Sequence, residues 1–385
     1  GFGGMVVVTA DWTIAHRSVN CADLLALKAL PQLGAQLSEC FTERAIEQLR
    51  LALKKPEITE DVARVFGLRL TKGGELMDCA IHLSRGNIVI EFEPHAAQDY
   101  ADHVSLVGPM LARLEPMRDV DSLCDAAATL VRQALGYDRV MVYRFHSDDS
   151  GEVIAEDKGE DLEPYLGLRY PRADIPQQAR ELFKRNKFRI IADMYADSVP
   201  IEPPVGFNGE PLDLSMSVLR AHSQMHVQYM KNMGVKASLA IAIVRQGRLW
   251  GMISCHHYEP KLPAYSLRTV AEMLSQMFSL MLDRILIDRA ERVRTKGRHL
   301  HDQLMLQLAG GNDLGGGLPM LDAMLKDVIK HDGCSMFIGG KYDRYGAAPS
   351  AEHFLRCARS WRCADQHNYR IQQHRSGSAR RSRVR

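Results

Sequence analysis

The segment Tyr170-Pro171-Arg172-Ala173-Asp174-Ile175-Pro176 restricts the conformations open to this chain more than any other short stretch. Each proline fixes its own φ near about −65° and pushes the residue before it out of the helical region. Flanked by two such restraints, Asp174 is expected in a stiff, extended, non-helical strap that holds one acidic side chain against something. Good helix formers follow at once in Gln177-Gln178-Ala179-Arg180-Glu181-Leu182-Phe183, so the strap should run straight into a helix.

The rest of the chain sets the frame around that strap. At 385 residues it exceeds one ordinary core, so two or three domains are expected. A formal charge of +2 gives bulk electrostatics no reason to favour nucleic acid. No apolar run reaches the roughly 18–20 residues a membrane span needs, and the N-terminus lacks a secretory signal pattern. The eight cysteines are scattered without a CxxC pair, which fits reduced thiols and a cytoplasmic setting better than a disulfide framework. Because the sequence opens on Gly1 just before the β-branched run Met5-Val6-Val7-Val8-Thr9, it reads as a fragment.

Periodicity divides the chain into modules. Residues 1–96 read as a small mixed unit with a strand at 5–9, a short helix at 24–30, and a strand at Asn87–Pro94 after the turn Ser84-Arg85-Gly86. A connecting helix is expected over 98–114 and another over 122–135. Strands follow at Arg139–Phe145, 151–156, 189–191, 238–244 and 249–256, the last two joined by Arg245-Gln246-Gly247-Arg248. This is an α+β layout of antiparallel sheets flanked by helices. Over 266–308, Leu267, Val270, Leu274, Met277, Met281 and Ile285 mark one stripe of a long helix, which either packs on its own domain or forms a dimer interface. Residues 312–317 form a Gly-rich linker, and 318–340 begin a third domain that the remaining chain is too short to complete. The last 35 residues hold nine arginines and no lysine, without apolar period, and read as a disordered or out-of-frame basic tail.

Two further segments bear on function: Leu219-Arg220-Ala221-His222-Ser223-Gln224-Met225-His226-Val227-Gln228-Tyr229-Met230 and Leu249-Trp250-Gly251-Met252-Ile253-Ser254-Cys255-His256-His257. With the strap, in this order, they resemble the bilin-binding GAF domain of phytochromes, most closely the bacterial ones that hold biliverdin. Residues 1–96, with a strand ending in Glu91-Phe92-Glu93-Pro94, resemble the preceding PAS domain. The resemblance divides the chain into an N-terminally truncated PAS domain (1–96), a GAF domain (115–290), a connecting helix with a partial PHY domain (291–345), and the tail (346–385). A linear tetrapyrrole is flat and apolar, with inner N–H groups and two propionates, so its pocket should combine aromatic walls, fixed acceptors and guanidinium forks. The resemblance implies that Asp174 lies beneath the ring nitrogens, that Arg189 and Arg220 clamp the propionates, and that Ser223 lends a nearby hydroxyl. It implies further that His226 holds an inner-ring water, that His256 bonds the carbonyl of the rotating ring, and that Tyr143, Tyr170 and Tyr229 wall that ring. Ile175 and Met141 line the pocket. Taken singly, each residue has an ordinary structural explanation. Their joint occurrence in three motifs carries the reading.

The implied protein is a red/far-red photoreceptor and not an enzyme. It would be a homodimer through the long helix, signalling to a histidine kinase, response regulator or transcriptional regulator. The chain departs from the family in several places. Met225 stands where plant and cyanobacterial members carry the attachment cysteine, and the N-terminal cysteine of bacterial members lies outside this chain. Cys255 is then the nearest substitute thiol, while Cys21 is expected only to pack. Leu168, Ala173 and Phe183 replace the more polar His, Ser and Tyr found in members of the family. The runner-up is a light-independent PAS–GAF sensor or scaffold that has lost covalent attachment. A metal site built on Cys255 and His257, which share a strand face, is the remote third.

Overall fold

The computed structural model describes residues 1–54, 62–96, 103, 105–206, 209–309, 317–326, 329–338 and 340–363, and over these the α+β expectation holds. Two compact units are present, Gly1–Ile287 and Asp288–Arg385. The first unit opens with strands β1 (Gly4–Val8) and β2 (Ile14–Ser18), then helices α1 (Cys21–Leu24) and α2 (Glu43–Leu53), then strands β3 (Ala63–Arg69), β4 (Leu76–Ser84) and β5 (Asn87–Pro94). Helix α2 starts where the Thr42 side chain accepts from Ala45 N, and it turns Ala45, Ile46, Leu49 and Ala52 onto the sheet. The β4–β5 hairpin closes through Arg85 and Gly86, both at positive φ. The helix expected over 24–30 is not formed. Helix α1 ends at Leu24, Ala26 sits at φ 51°, and Leu25 is driven into the core with its carbonyl accepting from Thr71 Oγ1 (3.1 Å). Tertiary burial of one leucine overrides the local propensity here.

Of the connecting helix expected over 98–114, residues 98–102 and 104 lie outside the described residues, and α3 (Val107–Leu114) is its described end. Helix α4 (Val120–Leu135) is capped by Asp119, which accepts from Ser122 N (2.8 Å), and stops at Gly136 in the left-handed region. Strands β6 (Arg139–Phe145), β7 (Gly151–Lys158) and β8 (Arg169–Tyr170) lead into the strap, helix α5 (Gln177–Arg185), β9 (Phe188–Ile191) and the short β10 (Ile201–Glu202). Helix α6 (Gln224–Asn232), strands β11 (Ala237–Arg245) and β12 (Arg248–His257), and helix α7 (Tyr265–Ala309) complete the succession.

The strands form two six-stranded antiparallel sheets, ordered β10-β2-β1-β5-β4-β3 and β8-β7-β6-β12-β11-β9. The excursion after β9 thus lends β10 to the edge of the first sheet, pairing Ile201 with Ser18 and Glu202 with Arg17. Three further PAS-side charges reach the second region. Glu93 pairs with the buried Arg268 on α7, Arg64 pairs with Glu272, and Glu91 meets the 217–219 turn. Of the expected stripe, Leu274 and Ile285 are buried against the second sheet together with Phe278 and Leu282, Val270 is buried, and Met277 and Met281 are half-buried. This part of α7 is therefore core.

In the second unit α8 (Leu318–Lys326) precedes the hairpin β13 (Gly333–Ile338) and β14 (Lys341–Gly346). The linker expected at 312–317 falls outside the described residues except for Gly317. The sequence reading of disorder after 346 is corrected over α9 (Ala351–Cys363), which is helical, starts at Ser350, and stacks Phe354 on Tyr342 at 5.2 Å. Phe354 supplies the apolar anchor that the basic composition obscured. Residues 364–385 lie outside the described residues.

Candidate functional site

The two faces of the second sheet are built differently. On the helix side Val140, Val142, Leu239, Ile241, Ile243, Ile253 and Cys255 join α4 and α7 in one continuous core. On the other side the apolar residues form two islands. One holds Met141, Tyr143, Val153 and Met252 with Tyr170, Ile175 and Phe183. The other holds Ile191, Met194, Met230 and Val235 with Val227 of α6. Between them a row of paired residues crosses the sheet as Glu156, Met141, Ser254, Ala240 and Arg189. Alternation explains the room left there, because β11 sends Leu239, Ile241 and Ile243 inward and places the small Ser238, Ala240 and Ala242 on this face. The result is a groove with a small-residue floor.

The strap forms one end of the groove, with a correction to its shape. Arg172–Asp174 make a single 3₁₀ turn in which Asp174 N donates to Pro171 O (3.1 Å). Each proline restrains only itself and the residue before it, so the residues between remained free to turn. Arg180 fixes the strap from α5: its Nε donates to Ile175 O (2.7 Å), its terminal nitrogens donate to Asp149, and its plane lies 4.3 Å over the Phe145 ring. Asp174 is exposed, and partial desolvation raises its carboxyl above the usual range. Tyr143, Tyr170 and Tyr229 surround it. Burial first, and then neighbouring charges that include Asp174, raise all three phenols, that of Tyr170 to about 12. The Tyr143 and Tyr170 ring centroids are 5.8 Å apart.

At the other end Arg189 and Arg220 are brought together. Arg189, 7% exposed, donates to Ser217 O (3.2 Å) and Arg220 O (3.4 Å). Burial and then the Arg220 charge lower it to about 10. Arg220 is half-buried, lowered by burial, and its Nε has no hydrogen-bond partner among the described residues. His226 lies at the groove surface, open to solvent yet flanked by protein, and burial and then Arg189 lower its imidazole. Its ring stacks on His222 at 5.9 Å, and His222 is lowered to about 3 by burial, Arg189, His226 and Arg220. A cavity of about 580 Å³ adjoins Arg220, His222, Gln224 and Val227; Asp174 and His256 do not line it.

His256 lies between the two ends, 6% exposed, with Nε2 at 3.3 Å from Ser254 Oγ. Its Nδ1 is buried without a partner among the described residues. Burial, then Arg139 and His226, hold its pKa at about 3, so the ring is neutral at pH 7 and offers one donor and one acceptor. Ser223 caps α6 by accepting from His226 N (3.3 Å), which leaves its O–H free to donate. Met225 is 84% exposed on α6.

Comparison with known proteins follows the same division. A family model described as PAS fold matches residues 1–95, and one described as GAF domain matches residues 119–282. A phytochrome-like protein, Cph1 of Synechocystis, is 37% identical over 282 residues, which covers 71% of this chain and 38% of that protein. A bacteriophytochrome of Pseudomonas aeruginosa is 34% identical over 346 residues, covering 88% and 46% respectively. The crystal structure of bacteriophytochrome RpBphP3 from R. palustris superposes with a TM-score of 0.83 at 29% identity, over 95% of this chain and 74% of that one. The chain carries a phytochrome PAS–GAF core. It spans less than half the length of the two curated relatives.

Within this phytochrome core several site residues escaped sequence reasoning. Arg180 and Arg139 entered the sequence reading only as members of a helix and a strand, with no role assigned. Arg139 is buried, paired with Glu156, and stacked 3.8 Å from the Tyr165 ring. The alternation of large and small residues in β11 was the legible but unused signal for a groove. Cys255 as a substitute attachment thiol is corrected: β12 points it into the helix-side core, where it is fully buried and its thiol is pushed well up. That burial also removes the metal reading, since Cys255 is enclosed and His257 Nδ1 faces Asp138 at 2.7 Å. Among the described residues no group of three or more His, Cys, Asp or Glu side chains could hold a metal ion. Cys21 packs as expected, donating to Met5 O (3.0 Å). No helix among the described residues is long and apolar enough to cross a membrane.

Proposed function

We propose that this phytochrome core is a red/far-red photoreceptor whose GAF groove binds biliverdin or a related linear tetrapyrrole. The observation that carries the reading is the convergence on one sheet face of Asp174, three tyrosines, His226, neutral His256 and the Arg189–Arg220 pair. The residues fit such a group. The orphaned His256 Nδ1 wants a polar partner, the small-residue floor leaves room for a flat body, and Arg220 has an unpartnered Nε for a carboxylate. When bound, the tetrapyrrole supplies red-light absorption and a double bond whose isomerisation turns one ring.

In this reading Arg220 takes a propionate, with Arg189 supporting it from beneath. Asp174 supplies acceptor oxygens, while Ile175, Met141, Tyr143, Tyr170 and Tyr229 wall the turning ring. Neutral His256 hydrogen-bonds its carbonyl, and His226 holds a polar contact near the inner nitrogens. None of the described cysteines of the first unit lines the groove, and Met225 is a thioether, so binding through these residues is noncovalent. Exposed Leu280 and Ile287 on α7 offer a face for a homodimer, and a histidine kinase, response regulator or transcriptional regulator in the cytoplasm would receive the signal. The test is addition of biliverdin to the purified chain, with absorbance recorded under alternating red and far-red light. A near-red band that interconverts under illumination and is lost on denaturation is expected. Absence of that band contradicts the reading.

A further inference from the structure

Glu91 lies on β5 of the PAS domain, 3% exposed, yet its carboxylate is spent wholly on the GAF domain. It accepts from the Ser217 hydroxyl, from Val218 N (3.1 Å) and from Leu219 N (2.7 Å). From the opposite side Asn186 Nδ2 donates to Met216 O (3.0 Å), and Arg189 donates to Ser217 O and Arg220 O. The turn that delivers Arg220 is thus gripped between a carboxylate of one domain and a guanidinium of the other. Three donors converge on one carboxyl group, an arrangement that favours the ionised, acceptor-only form. Burial pushes the Glu91 carboxyl up, and Ser217, Leu219, Val218 and Arg189 offset only part of that rise. Arg189, for its part, has Glu91 as the carboxylate that opposes its depression by burial and by Arg220.

We propose that Glu91 is a positioning residue for the Arg220 clamp, an inference that rests on the tetrapyrrole reading of the groove. Its ionised carboxylate fixes the 217–219 turn and balances Arg189, which leaves Arg220 as the cation presented to a ligand carboxylate. Glu91 touches no ligand in this arrangement. It acts through the turn, so its removal should be felt only by ligands that carry the acid Arg220 binds.

Glu91→Gln keeps the volume but sets an amide N–H against one of the three donors. The full chain is titrated with biliverdin and with biliverdin dimethyl ester, as wild type, Glu91→Gln, Arg220→Gln and the double variant. Glu91→Gln is expected to weaken the free acid about tenfold, to leave the ester within about twofold, and to add nothing in the Arg220→Gln background. Equal weakening of acid and ester, or no weakening of either, overturns the proposal. Amide hydrogen exchange without ligand gives a second readout. Val218 and Leu219 should exchange about tenfold faster in Glu91→Gln while β6 is unchanged. Unchanged protection at that turn, or loss of protection across both sheets, also overturns it. If wild type takes up neither acid nor ester, the tetrapyrrole reading falls and the clamp role with it, while exchange still decides whether Glu91 fixes the turn.

Discussion

The two six-stranded sheets have the same construction on one face and opposite fates on the other. Each covers one face with its own helices in a continuous apolar core. The free face of the PAS sheet is then closed by the excursion from the GAF domain: Met5, Val7 and Val89 meet Ile201, Leu212, Leu214 and Leu219, and β10 extends the sheet edge. The free face of the GAF sheet is bridged only at its ends, by the strap and by α6, over small residues and neutral histidines. A sheet face becomes a binding site where side-chain volume is withheld and polar atoms are left unmatched. The strand pattern alone does not decide it.

The sharpest way to break this contrast is to unpair the closed side. Arg268 and Glu93 are both buried across the PAS–α7 contact, so Arg268→Leu strands a carboxylate and should cost about 3–5 kcal/mol in urea unfolding. The double change Arg268→Leu with Glu93→Leu should recover most of that loss. Acid titration probes the same side more gently. His82 on β4 is buried with both ring nitrogens unpartnered among the described residues, and burial lowers it from 6.5 to about 4. The unfolded chain therefore binds the proton first. The stability held above pH 6.5 should drain as pH falls towards 4, by about 2–3 kcal/mol, and fall no further from this group below that. Thermal or urea midpoints across pH 7 to 4 check it, and His82→Leu should flatten the slope.

On the open side, Gly151 on β7 is the sensitive point. A Cβ there would overlap the Tyr143 ring, so Gly151→Ala must move that ring, at about 1–3 kcal/mol and with a shifted band in a biliverdin complex. The smallest effect should come from Cys255→Ala. It removes one sulfur from the helix-side core, costs about 1 kcal/mol, and leaves the absorbance of a biliverdin complex unaltered. An altered spectrum would place that thiol on the wrong face.

How far the sequence went depended on what kind of force fixed each element. Strands β6 and β12 follow from alternation and turn residues, and helix α5 from the proline before it, so these were legible. The 3₁₀ turn at Arg172–Asp174 was not, because proline rules stop one residue short of it. The partial helix at Cys21–Leu24 and the helix at Ala351–Cys363 depend on where Leu25 and Phe354 pack, which local pattern does not encode. Within the groove, the candidate aspartate, arginines, histidines and tyrosines came from family-like motifs. The residues that aim them, Arg180, Arg139 and Glu91, were not, since a polar contact between residues far apart in sequence leaves no periodic trace.

In the proposed reading a tetrapyrrole occupies the open face of the GAF sheet between strap and α6. Hydrogen exchange of the full chain with and without biliverdin tests this most directly. Increased protection is expected at residues 170–176, along Gln224–Asn232 and in β12, with the PAS strands β1 and β4 unchanged. Biliverdin binding that leaves the strap and α6 unprotected, or that protects the PAS sheet instead, would contradict it.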